Sequence, residues 1–231
     1  MLGQSISKNS LLLAAFALAT AGTLALTNLG TKDRIAVAER AAQQRALFEI
    51  IPLQTHDNDL LTDITPVPLA AQKNLHVGST ATIHRARMNG AITALIVPTV
   101  ARDGYSGDIE MIVGVNRDGS VAGVRVIKHK ETPGLGDKID LKKNPWILSF
   151  NGKSLQLPFS DAWKVKKDGG DFDQFAGATI TPRAVVGQVK HVLEFVTANH
   201  ATLFNDKVEN NSVDNNAVEI NTQPHTGEDH E

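Results

Sequence analysis

The chain has 231 residues and no cysteine. That excludes disulfides, thiolate zinc sites and cysteine-held iron–sulfur clusters. Redox chemistry, if present, must come from an organic cofactor or a metal held without thiolates. An oxidising compartment poses no thiol problem for such a chain. Basic residues do not outnumber acidic ones: the net charge is −2. No basic stripe appears, so the sequence gives no sign of a nucleic-acid partner. No Gly-x-Gly-x-x-Gly fingerprint sits in a strand–helix–strand setting, so a dinucleotide is not expected to bind here. Aromatic residues make up only 5%, with a single tyrosine, Tyr105.

Charge is missing altogether from Leu11 to Leu29. As a helix this run spans roughly 28 Å, close to the thickness of a hydrocarbon core. A cleaved signal peptide is the competing reading, with Thr20, Ala21 and Gly22 as small residues near a cleavage point. Length favours an uncleaved anchor. Orientation is weakly encoded, because Lys8 lies on one side and Lys32 and Arg34 with Asp33 on the other. With no ionisable group inside the span, the chain offers no ion path of its own.

What is present suits one domain with appendages, since 42% of residues are hydrophobic. Lys32–Ile51 reads as a juxtamembrane helix, with Ile35, Ala38, Ala42, Leu47 and Ile50 near helical spacing and Pro52 as its stop. Asp57–Pro68 reads as an acidic loop. Ala81–Arg87 and Ile92–Val97 read as strands around an Asn89-Gly90 turn. Ile109–Val115 and Val121–Ile127 form a second pair around Arg117-Asp118-Gly119. Pro145–Phe150 is a short helix or turn. Pro182–Asn199 is an amphipathic helix, with Val185, Val186, Val189, Leu193 and Val196 on one stripe. Strands followed by a packing helix imply an α+β domain with an antiparallel sheet. Asn205–Glu231 is polar and aperiodic, a disordered acidic tail by composition. Its His225 and His230 lack ligand spacing, so no metal is expected.

The densest run of chemistry is Asp171-Phe-Asp-Gln-Phe-Ala-Gly-Ala-Thr-Ile-Thr-Pro182. Two hydroxyls, Thr179 and Thr181, stand at the mouth of the helix. Thr181 before Pro182 is a natural N-cap. A helix N-terminus offers free amides and partial positive charge to a phosphate. Gly177 lets backbone approach it without a Cβ. Spacing alone leaves open whether Thr179 acts or Thr181 simply caps. Asp173, six residues before Thr179, either serves recognition and threonine activation or shapes the approach to the helix. Glu131-Thr-Pro-Gly-Leu-Gly136 is a rigid turn. Through Thr132, Gly134, Leu135 and Gly136 it can lie against a flat ring; a purely structural turn is the alternative. Tyr105 is a stacking or a core residue. Lys164, Lys166 and Lys167 either meet a phosphate or form a solvated face. His129, between Lys128 and Lys130, reads as a surface histidine at a strand end.

Three stretches in order carry a resemblance: Asp103-Gly-Tyr-Ser-Gly107, His129-Lys-Glu-Thr-Pro-Gly-Leu-Gly-Asp137 and Asp168-Gly-Gly-Asp-Phe-Asp-Gln-Phe175, followed by Gly177-Ala-Thr179. Over residues 1–200 the chain resembles the G subunit of the Rnf (Rsx) electron-transport complex. More distantly it is similar to the C subunit of the sodium-pumping NADH:quinone reductase. The resemblance implies FMN esterified through its phosphate to Thr179, with Asp173, Gly177 and Ala178 as parts of the attachment motif. Ala176 replaces the usual Ser or Thr of that motif. It also implies a magnesium-dependent flavin transferase as maturation partner, and other membrane and cluster-bearing subunits as working partners. The expected arrangement is a segment 1–10, an anchor 11–29, a juxtamembrane helix 30–52, an FMN-binding domain 53–204 and a tail 205–231. The implied role is an electron carrier of ferredoxin/NAD type in an ion-translocating complex of the inner membrane, its domain in the periplasm. A stand-alone anchored FMN reductase and a cofactor-free membrane assembly protein are the competing functions.

Overall fold

The computed structural model describes residues 2–157 and 159–205. Residues 206–231 of the expected tail, with His225 and His230, lie outside them. The chain opens with one uninterrupted helix, α1 (Leu2–Ile50). The expected N-terminal segment, anchor and juxtamembrane helix are thus parts of a single rod. Its Asn9–Lys32 portion is long and apolar enough to cross a membrane. Pro52 follows its end, because a proline cannot donate to the preceding turn.

A five-stranded antiparallel meander follows: β1 (Ile64–Pro66), β2 (Thr82–Met88), β3 (Ala91–Ala101), β4 (Ile109–Asn116) and β5 (Val121–Lys128), in that spatial order. Asn89 and Gly90 both take positive φ, 53° and 81°, the twist a two-residue hairpin needs. The turn to β5 is tied by Asp118, whose Oδ1 accepts from the Ser120 amide at 2.9 Å and its hydroxyl at 2.6 Å.

One expectation requires correction. Part of the acidic loop is strand β1, paired Ile64 to His84 and Pro66 to Thr82. Three residues are too few to show alternation, and a proline is tolerated on a sheet edge. After it comes α2 (Leu69–Leu75), whose seven residues give barely two turns of periodicity.

Both faces of the sheet are covered. On one face lies α3 (Ile180–Ala198), burying Val185, Val189, Val192 and Val196 against Ile92, Leu95, Val113 and Val124. On the other, the end of α1 buries Leu47, Ile50 and Ile51 against Ala86, Ala94 and Ile96. The described residues of 129–179 add no strand to the sheet, yet they are held firmly. Trp146, Phe150, Trp163, Phe172 and Phe175 pack in a chain of ring contacts 4.7–6.1 Å apart. The Trp146 Nε1–H donates to the Asp173 carbonyl at 2.8 Å, and the Trp163 Nε1–H to the Ser154 carbonyl at 3.0 Å. The few aromatics are concentrated where the backbone lacks a ladder, and they deliver the chain to the start of α3. A last short turn, α4 (His200–Leu203), closes the described domain.

Candidate functional site

The approach to α3 is a tight turn in which the Ala178 amide donates to the Phe175 carbonyl at 3.1 Å. Gly177 takes φ +78°, a conformation other residues rarely adopt. A Cβ there would stand 3.7 Å from Leu135 Cδ2, so this turn and the 131–136 loop face each other. Thr179 ends the turn, half-buried, at the N-cap position of α3. Its side chain makes no capping bond.

Thr181 is not the cap. It lies one residue inside α3, fully buried. Its hydroxyl donates to Glu131 Oε2 at 2.5 Å. Glu131 is itself only 4% exposed, and its Oε1 accepts from the Ser106 amide at 2.9 Å. One buried carboxyl group therefore joins the 102–107 loop, the 131–136 loop and the first turn of α3. Gly136 is required beneath it: a Cβ would stand 2.7 Å from both Glu131 Oε2 and Thr181 Oγ1. At Gly104 a Cβ would overlap the Gly107 carbonyl and stand 2.9 Å from Glu131 Oε1.

These three segments enclose a cavity of about 290 Å³. Of the residues singled out in the sequence, Tyr105, Thr132, Leu135, Gly136, Gly177, Ala178 and Thr179 border it, and Glu131, Ile180 and Thr181 complete its wall. Gly134, at φ +77°, shapes the loop but does not border the cavity. Tyr105 is 68% exposed, so it is a rim residue and not a core one. Leu135 and Ile180 are also exposed, giving the cavity an open apolar mouth. Two larger depressions near His76 share no residue with it.

Asp173 stands outside this group. Its exposed carboxylate pairs with Lys166 Nζ at 2.6 Å, and only its backbone carbonyl is committed inward. None of Lys164, Lys166 and Lys167 borders the cavity. The other pair near the start of α3 is Arg183 with Asp168, two bonds of 2.6 and 2.9 Å. The Arg183 bond holds the Asp168 carboxyl below its ordinary range, and Asp168 raises Arg183 in turn. The His129 Nδ1 accepts from the Glu131 amide at 3.1 Å.

Sequence reasoning names the 131–136 turn but misses Glu131 as its centre. No periodicity distinguishes a buried loop glutamate from an exposed one. The available signal is the pairing of that glutamate with two glycines, Gly104 and Gly136, in separate loops.

The model of the FMN-binding domain family matches residues 104–194, and that of the RnfG N-terminal region matches residues 1–50. The G subunit of the ion-translocating oxidoreductase complex of Vibrio atlanticus is 47% identical over 199 residues, covering 86% of this chain and 94% of the relative. The same subunit of Pseudomonas aeruginosa is 48% identical over 200 residues, with coverage of 87% and 92%. That of Shewanella amazonensis is 48% identical over 202 residues, with coverage of 87% and 93%.

The chain belongs to the RnfG family, the G subunits of ion-translocating oxidoreductase complexes. The family match agrees with the observed architecture of an apolar N-terminal helix followed by an α+β FMN-binding domain. The cavity fits an FMN. Its volume is near the low end for small-molecule sites, so a flat ring would fill it while a polar chain ran outward. Its walls at Gly136 and Gly177 carry no side chain, and Thr179 presents a hydroxyl at its edge.

Proposed function

We propose that Thr179 carries FMN through a phosphoester, and that the chain is the anchored flavin electron carrier of an ion-translocating oxidoreductase complex. The observation that carries this reading is the contrast between the two threonines. Thr179 stands half-buried at the edge of the cavity, while Thr181 is fully buried and committed to Glu131. A modifying enzyme can reach the first hydroxyl only.

A threonine hydroxyl is a weak nucleophile without a base or a metal to activate it. The Asp173 carboxylate is committed to Lys166 at the surface, so activation falls to a separate magnesium-dependent flavin transferase. In that transfer the Thr179 Oγ–phosphorus bond forms and the pyrophosphate bond of FAD breaks. AMP leaves, and the hydroxyl proton passes to the transferase. Asp171, Asp173 and Ala176 are exposed between the buried Phe172 and Phe175, and with the Lys166–Asp173 pair they suit recognition in trans. Leu135, Ile180 and Tyr105 would hold the ring, Thr132 and the Gly136 backbone would border it, and Gly177 and Ala178 would leave room for the phosphate. FMN when bound supplies reversible electron transfer, tuned by these surroundings.

The helix Asn9–Lys32 supports membrane anchoring. We assign the chain to the inner membrane with its domain in the periplasm. It works with membrane and cluster-bearing partner subunits between ferredoxin and NAD, and ion translocation belongs to those partners.

The test uses the full chain made together with a flavin transferase. Denatured wild-type protein should show flavin fluorescence in its gel band. Thr179→Val should abolish it while keeping the thermal transition of wild type made without the transferase. A dark wild-type band would favour the cofactor-free assembly reading; a fluorescent Thr179→Val band would move the attachment elsewhere. Co-purification with multi-span partners separates the complex subunit from a stand-alone reductase.

A further inference from the structure

We propose that Glu131 is the positioning and tuning residue of the flavin site: its carboxyl group pins three chain segments around the cavity and fixes negative charge in the wall against which the ring lies. This rests on the flavin reading above.

The geometry is specific. Both oxygens of the carboxyl group are committed, Oε1 to the Ser106 amide at 2.9 Å and Oε2 to the Thr181 hydroxyl at 2.5 Å. The two partners come from different elements, and the side chain is 4% exposed while still bordering the cavity. Removing the role of Oε2 frees the fully buried Thr181 hydroxyl, and Gly104 and Gly136 leave no space for a Cβ beside the two carboxyl oxygens. A glutamate serving only to hold a loop would need those two bonds but no ligand cavity beside it. This one is placed in the wall of a cofactor-sized cavity, where screening by water is weak. Adding an electron to a ring beside a fixed negative charge is disfavoured, so the charge lowers the flavin's midpoint potential. The bond to Thr181 also holds the first turn of α3, and with it Thr179, against the cavity.

The experiment compares flavinylated full-length wild type, Glu131→Gln and Glu131→Asp by spectroelectrochemical titration. A dark wild-type band would sink the flavin reading before this comparison begins. With flavin present on all three, Glu131→Gln should shift the midpoint potential to more positive values. Glu131→Asp, which keeps the charge but shortens the reach, should shift it less. An unchanged potential in Glu131→Gln, or an equal shift in both variants, overturns the tuning role, because loosened packing alone would affect both. A second measurement needs no variant. In folded wild type the Ser106 amide should exchange its hydrogen more slowly than an exposed loop amide without a hydrogen-bond partner. Rapid exchange at Ser106 would overturn the positioning role even if Glu131→Gln failed to fold.

Discussion

Thr179 and Thr181 are two positions apart and chemically identical, yet the fold gives them opposite situations. The sequence reads Thr181 before Pro182 as a helix cap, because hydroxyl residues favour that position. The helix instead begins at Ile180, so Thr181 turns inward to a carboxylate fifty residues away in sequence. Local capping rules carry no knowledge of such a partner. Charge pairs show the same limit at Asp63, which the sequence places in an unremarkable acidic loop. Burial alone would push its carboxyl up, but bonds from Arg87 Nε at 2.7 Å and Arg85 Nε at 2.6 Å outweigh this and hold it below its ordinary range. A carboxyl lowered on folding stabilises the native state fully above its unfolded value and loses that contribution as pH falls through the folded one. The domain should therefore lose stability on acidification below about pH 4, near the ordinary aspartate value. Asp63→Asn should be less stable than wild type near neutral pH, with the difference narrowing as the pH is lowered. Urea midpoints measured across that range would check this; a constant difference at all pH values would remove the linkage.

At the scale of elements, what is legible in the sequence follows from how strongly each signal is local. Asn89-Gly90 has one favoured hairpin geometry, and the apolar stripe of α3 repeats over several turns, so both are readable from the residues alone. β1 and α2 are too short to carry a period. The dock of α1 on the sheet is not legible at all, because it depends on two glycines that meet only across strands. Gly114 pairs with Gly123 on β4 and β5, and Ile50 sits in the notch they leave. A Cβ on Gly114 would overlap Ile50 Cγ2, whereas one on Gly123 would stand 3.5 Å from the Ile50 atoms. Arg125 reinforces the dock, its Nε bonded to Glu49 Oε2 at 2.8 Å and one Nη to the Glu49 carbonyl at 3.1 Å. Ile50→Ala should cost about 2–5 kcal/mol, as for other buried aliphatic truncations. Gly114→Ala should also destabilise, by overpacking of about 1–3 kcal/mol. The double variant should be more stable than the sum of the two predicts, since the new methyl group occupies space the isoleucine has left. Chemical denaturation of all four proteins in detergent measures this, and strict additivity would mean that the side chains do not share the notch.

At the scale of the whole molecule, the dock and the continuous helix together make one continuous lever. Residues 33–50 continue α1 for about 27 Å beyond the apolar portion that ends at Lys32. Under the function proposed above, that lever sets both the height of the flavin over the membrane and the direction in which its cavity faces. The two can be separated by inserting alanines near residue 40. Two extra residues raise the domain by only about 3 Å but rotate it by roughly 200°. Four raise it by about 6 Å and leave it rotated by only about 40°. Neither insertion touches Thr179, so in-gel flavin fluorescence should stay at the wild-type level in both. Electron transfer between ferredoxin and NAD by membranes containing the assembled complex should suffer more from the two-residue insertion, because a cavity turned away from its partners cannot exchange electrons with them. If four residues prove more damaging than two, height governs and the direction of α1 is not transmitted to the domain. In that event the Ile50 notch stabilises the fold without aiming it.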